Sequence, residues 1–400
     1  MVIAPGPRRF LTAAPLHLVL LGLLVGVSGV PFEGLLWLFL VGFVGFTALG
    51  FAWHLFPSIF RRRLIGAPDG PAYWAVAEAS VVLGLVGRSF LVPVSTGWVI
   101  TLAGSGAWLL VLLAFVGTGL RSLRTPPPHT GPPERPADRV ATLLFGSSWI
   151  FGIASALLWM ASSVTPGPGF GFWLAGVHTY VLGQLALLIF GVSLRLIPRS
   201  AGTDAPAWVA RSLAATGLTG AIGVPLGLLA LAPREGALLL IAGLLEGTAA
   251  VLFVLQLFWL VTRARTPRRA HWVYLASGSC LLVGGSVGLW MISSGDYGLV
   301  KAHAWTNLLG FLGLMILGMW FSMVAPFQFV SHRWTLRALS TGAVLILASV
   351  AMALLNVESA VLGDLPGRWL FGGLLAALGV FWSVGSLPVL HWRVHHPSLD

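Results

Sequence analysis

The chain is a succession of long apolar runs, and that pattern limits its fold more than any motif does. A helix needs about 20 apolar residues to cross a bilayer. Read by that rule, the sequence predicts twelve spans, at approximately 10–28, 34–57, 71–92, 95–120, 139–162, 170–197, 205–232, 235–262, 270–293, 298–327, 333–356 and 365–388. The runs are too long, and too continuously apolar, for the alternating strands of a membrane β-barrel. The expected fold is all-α, a single polytopic membrane domain over residues 1–400. Only 9% of residues are charged and the mean hydropathy is +0.91, whereas a soluble domain carries roughly a quarter charged residues. A soluble enzyme, a nucleic-acid binder and a disordered chain are thereby excluded, and the lipid bilayer is the expected surrounding. The first run follows Arg8 and Arg9 in the manner of a signal peptide. With eleven runs behind it, it reads as a retained first helix.

Charge supplies the orientation. Of 23 basic residues all but Lys301 are arginine, and 19 fall on one side of the predicted spans against 4 on the other. The rich side holds Arg8, Arg9, Arg61 to Arg63, Arg195, Arg199, the 263–269 cluster and the long loop 121–138; the poor side holds Arg88, Arg234, Lys301 and Arg368. The positive-inside rule puts both termini and the arginine-rich loops in the cytoplasm, with the chain in the inner (plasma) membrane. Contact with anionic lipid is compatible with the same clusters. The longest loop, TPPPHTGPPERPADR, is proline-rich and follows span 4, which suits a 4+8 or 4+4+4 organisation.

Spans 2, 6 and 10 share a pattern: Gly42, Gly50 and Pro57; Gly183, Gly191 and Pro198; Gly310, Gly318 and Pro326. The glycines are eight apart each time, and the proline follows seven or eight residues later. Small residues let helices approach closely in lipid, and the proline is expected to end the span. Three four-helix repeats follow, at approximately 10–120, 139–262 and 270–388, arranged about a pseudo-threefold axis.

Polar groups inside a membrane are costly and so draw attention to function. His178 and His303 lie near the starts of spans 6 and 10, at one depth. Two imidazoles so placed can ligate a haem iron, or each can hydrogen-bond a neighbouring helix. Tyr180, Gln184 and Asn307 lie close by in sequence. His17 at the start of span 1 and His54 at the end of span 2 form a second pair, either another metal or haem site or interfacial histidines. Glu246, near the middle of span 8, is a proton-relay candidate or a protonated acid bonded to a neighbouring helix. Glu78 is expected to pair with a loop arginine, and Arg88 to pair with an acidic group such as a propionate or to snorkel. Cys280 reads as a small core residue; a lone cysteine gives neither a disulfide nor a Cys-based metal site.

The span-10 string HAWTNLLGFLGLMILGMWFSMVAP and the span-6 string HTYVLGQLALLIFGVSLRLIPR resemble the haem–copper oxidase subunit I superfamily, including its NnrS-like group. The resemblance implies twelve helices, pseudo-threefold symmetry and metal ligands near the outer face. It places His303 at the active-site haem and His178 where a copper ligand stands in the family. Trp305 replaces the second histidine of span 10, Leu35 and Trp37 replace the span-2 ligand, and residues 205–232 contain no histidine. The implied cofactor is one haem b held by His303 and His178, with Tyr180, Asn307 and Arg88 around it, and without copper or a low-spin haem. The implied activity, if the protein is an enzyme, is that of an oxidoreductase in nitric-oxide or respiratory electron metabolism, with respiratory or electron-transfer subunits as partners. The competing readings are a secondary transporter, for which Glu246 and Gln256 are the hints, and a cofactor-free structural or assembly subunit of a respiratory complex.

Overall fold

A computed structural model describes residues 5–26, 30–62, 64–66, 70–89, 93–125, 134–165, 169–230, 236–264, 269–320, 332–358 and 365–391. Every regular element among them is helical. The chain runs α1 (Pro5–Gly26), α2 (Phe32–Trp37), π1 (Leu38–Gly45), α3 (Phe46–Phe60), α4 (Pro71–Gly87), α5 (Val94–Leu123) and α6 (Pro136–Val164). It continues through α7 (Gly169–His178), π2 (Thr179–Ala186), α8 (Leu187–Ala201), α9 (Ala207–Leu229), α10 (Gly236–Thr262) and α11 (Arg269–Ser294). It ends with α12 (Val300–Trp305), π3 (Thr306–Gly313), α13 (Leu314–Met319), α14 (His332–Glu358) and α15 (Leu365–His391). Here π marks a stretch of wider, i→i+5 turns set into an otherwise continuous helix.

Nine helices among the described residues are long and apolar enough to cross a membrane. The apolar stretches Pro71–Gly87, Leu339–Ala351 and Leu370–Ser383 are shorter. Large apolar side chains such as Leu110, Ile150, Leu143 and Val344 project from the outside of the bundle, each more than half exposed. A soluble protein would bury such a surface; here it faces lipid. The protein is a multi-pass integral membrane protein.

Three helices form the interior. Phe32–Phe60, Phe170–Ala201 and Val300–Met319 are buried over 94%, 83% and 83% of their most apolar stretch, while the other six reach only 28–50%. These are the helices that carry the paired glycines, and each contains one eight-residue π segment. Counted from the first residue of its π segment, the fifth residue is Gly42, Gly183 or Gly310, and the thirteenth is Gly50, Gly191 or Gly318.

Each glycine seats a group from the preceding long helix. A Cβ on Gly42 would lie 2.9 Å from the His17 ring of α1, and one on Gly310 would lie 2.7 Å from Cys280 Cβ of α11. One on Gly183 would strike the Phe151 ring of α6. The second glycines repeat the scheme, with Leu11 against Gly50, the Ala141 carbonyl against Gly191 and Tyr274 against Gly318. Small residues at these points let the backbones close up, which is how helices associate without a hydrophobic drive between them.

The three central helices meet around an apolar cavity of about 30 Å³. Ala48 and Phe51 line the cavity with Ile189, Val192, Ile316 and Met319. These are the eleventh and fourteenth residues of the three helices, counted as before.

The prolines do not end the helices as the sequence suggests. α3 continues three residues past Pro57 to Phe60, and α8 three residues past Pro198 to Ala201. Proline removes its own N–H bond to the previous turn and crowds the carbonyl there, which can kink a helix without ending it, and the chain closes later, at left-handed Arg61 (φ 54°) and Gly202 (φ 67°). Pro326 lies outside the described residues.

Candidate functional site: two facing histidines

His178 is the last residue of α7, directly before the wide turns of π2. His303 lies in α12, three residues before π3. The two are thus offset by two positions in register, because Trp305, not His303, directly precedes π3. Their rings nevertheless face each other, with centroids 6.5 Å apart and planes 19° from parallel.

Each ring is fixed by a hydrogen bond to a backbone carbonyl. His178 Nδ1 donates to Leu174 O at 2.9 Å, and His303 Nδ1 to Gly284 O at 2.8 Å. A carbonyl only accepts, so both Nδ1 atoms carry hydrogen and, in the neutral ring, Nε2 holds a free lone pair. Histidines that ligate metals are oriented in this way. Two neutral imidazoles with free Nε2 atoms are of the donor type that would hold iron or zinc; the 6.5 Å separation is that of two stacked rings.

Glycines of α11 form the seat. A Cβ on Gly288 would lie 2.6 Å from His303 Cε1, and one on Gly284 would strike the Asn307 amide. Asn307 Nδ2 donates to the His303 carbonyl at 2.9 Å and tightens the entry into π3. Tyr180 and Gln184 of π2 are buried against other neighbours than the histidine pair: the Tyr180 hydroxyl would meet a Cβ on Gly45 of π1 and the Gln184 amide one on Gly152 of α6, and neither group has a hydrogen-bond partner among the described residues. Tyr180 packs 5.2 Å from Trp159, and Trp159 packs 5.0 Å from Trp37.

Arg88 stands apart from this pair. Its guanidinium stacks over Trp37 at 4.3 Å and donates to Gly84 O at 3.1 Å. Trp305 is enclosed by Phe39, Phe32 and Phe371 at 5.8, 6.2 and 5.3 Å. Glu246 lies on α10 against Gly220 of α9, and its Oε2 is buried without a partner among the described residues. Both side-chain polar atoms of Gln256 are in the same condition.

His17 does not sit at a helix end and is not brought to His54. Helix α1 begins at Pro5, where prolines suit the first turn, so His17 falls near its middle. It packs on Gly42, and His54 lies twelve residues further along that central helix, about 18 Å at 1.5 Å per residue. The partner of His17 is Glu78 of α4, with Nε2 and Oε2 3.0 Å apart, while Nδ1 donates to the Gly42 carbonyl at 3.0 Å. Glu78 is thus paired across three helices and not with a loop arginine. A sequence signal existed: each is a titratable group in the interior of its span.

No protein-family model and no curated protein matches the chain.

Proposed function

We propose that this membrane protein binds one haem b through His178 and His303, on a scaffold of twelve spans in three four-helix units like that of haem–copper oxidase subunit I. The observation that carries the reading is the pair of facing imidazoles, 6.5 Å apart and each anchored through Nδ1. The shorter apolar stretches in α4, α14 and α15 bring nine spans to twelve. The common register of the three π segments, the glycine seats and the central cavity supports the threefold arrangement.

A haem held by His178 and His303 would supply reversible one-electron chemistry or binding of a diatomic ligand such as nitric oxide. The chain itself orients both imidazoles through the Leu174 and Gly284 carbonyls and seats His303 against Gly288. The expected setting is respiratory or nitric-oxide metabolism, with oxidoreductase activity in the inner membrane and both termini cytoplasmic.

The test is a pyridine haemochrome assay and absorption spectrum of protein purified after haem-replete expression. A Soret band is expected, lost in His303→Ala, lost or shifted in His178→Ala and kept in His54→Ala. A colourless wild-type protein, or a band indifferent to both histidines, overturns the reading.

A further inference from the structure

The apolar cavity where the central helices meet has a cause in the packing around it. At the height of the cavity each central helix is held from outside. Its thirteenth residue, counted as before, is a glycine seated on the preceding long helix: Gly50 on Leu11 of α1, Gly191 on the Ala141 carbonyl of α6 and Gly318 on Tyr274 of α11. A Cβ at these glycines would lie 2.6, 2.8 and 2.7 Å from its neighbour. The eleventh and fourteenth residues, on other sides of the same turn, line the cavity. Three helices each drawn close to an outer neighbour do not collapse onto their common axis, and a core that cannot relax keeps its void.

The cavity wall is wholly apolar. Among the described lining residues only Thr47 has a polar side chain, and its hydroxyl donates to the Phe43 carbonyl at 2.7 Å. A buried water needs roughly 10–15 Å³ and at least two polar partners. The cavity, at about 30 Å³, has the room and lacks the partners. Apolar cavities of this kind stay dry and take up apolar guests such as xenon.

Ala48, Phe51, Ile189, Val192, Ile316 and Met319 are each at most 7% exposed, so the space lies inside the bundle. A lipid chain needs a groove open along its length; a space for about two water-sized atoms suits a monatomic or diatomic guest instead.

We propose that this cavity binds one small apolar gas molecule of the size of dioxygen, held by dispersion contacts with the six side chains just named. The bilayer supplies the guest, because uncharged diatomic gases dissolve better in hydrocarbon than in water. Ile189 lies eleven residues beyond His178 along one continuous helix, about 16 Å at 1.5 Å per residue. The site is therefore separate from the histidine pair and does not depend on haem.

The experiment uses full-length protein in phosphatidylcholine nanodiscs, with ¹³C in the isoleucine δ1 methyls, under graded pressure of xenon and, separately, of dioxygen. Ile189→Val and Ile316→Val assign the two cavity methyls. Their chemical shifts under xenon, or their relaxation rates under paramagnetic dioxygen, are expected to saturate. Ile150 and Ile241, 68% and 57% exposed on the lipid face, are expected to respond linearly to both gases.

Ala48→Leu puts an isobutyl group into the space and is expected to weaken the apparent affinity by about tenfold or more. Val192→Ala widens the space and is expected to tighten xenon binding severalfold. Leu143→Ala, on the lipid face, is expected to change neither. If Ala48→Leu does not fold, Val192→Ala decides. A linear response of Ile189 and Ile316 to both gases, or an affinity that neither cavity variant moves, overturns the proposal.

Discussion

The His17–Glu78 pair makes a quantitative prediction that is independent of any cofactor. The Gly42 carbonyl can only accept, so His17 Nδ1 carries a hydrogen and the line between Nε2 and Oε2 holds one further proton. Whether that proton sits on nitrogen or oxygen, each group is satisfied only by the other. Hydrogen bonds with a charged partner contribute about 1.5–3 kcal/mol net. Glu78 keeps 23% of its side-chain surface and His17 11%, and that partial exposure places the coupling in the lower half, about 1.5–2 kcal/mol.

Replacing His17 by Leu removes this bond and the one to Gly42 and strands Glu78, at a cost of about 2.5 kcal/mol. Glu78→Leu strands His17 at a cost of about 2 kcal/mol. The double variant leaves no orphaned partner and is expected to lose about 2.5–3 kcal/mol, not the sum of about 4.5. Equilibrium unfolding in mixed micelles, for all four proteins, measures the cycle. Additive losses within about 0.5 kcal/mol would show that the two side chains do not interact and would refute the pairing.

Two further predictions concern packing. Gly191→Ala brings a Cβ within 2.8 Å of the Ala141 carbonyl, backbone that cannot step aside, and is expected to cost about 1–3 kcal/mol; Gly117→Ala in α5 meets nothing within 4 Å and is expected to be neutral or to gain up to about 1 kcal/mol from helix propensity. The same unfolding assay separates them, and equal effects would remove the seat from the argument. Glu246→Met replaces a buried carboxyl that has no described partner for Oε2 by an apolar chain of similar length, and stability is expected to hold or rise; a loss above about 2 kcal/mol would mean that the carboxyl is paired in the folded protein.

The helical class was legible from apolar length, and the paired glycines singled out the three helices that the structure places inside, although their spacing was read as a repeat and not as burial. The facing histidines were legible from their common depth. Other features depend on context that composition does not carry. A π segment differs from the helix around it only in hydrogen-bond partner, and Leu38–Gly45 reads like any apolar run. His17 was misplaced because α1 begins at Pro5, ahead of the apolar run, which moves the ring from a helix end to its interior. Arg195 looked like one more loop arginine under the positive-inside rule. The helix continues past Pro198 and carries it into a packed interface where its guanidinium donates to the Ser58 carbonyl.

The π segments connect these observations. A wide turn spoils the regular stacking of a helix and persists where neighbours fill the extra girth. In each central helix the filling is supplied at the fifth residue, the glycine that admits His17, Phe151 or Cys280. The wide turn and its glycine thus lock each central helix to the helix before it, just beyond the position that carries Trp37, His178 or Trp305. His178 therefore projects from a fixed platform, and α11 fixes His303 through Gly284 and Gly288. Two rings are thus held independently, from two helices, to within 19° of parallel.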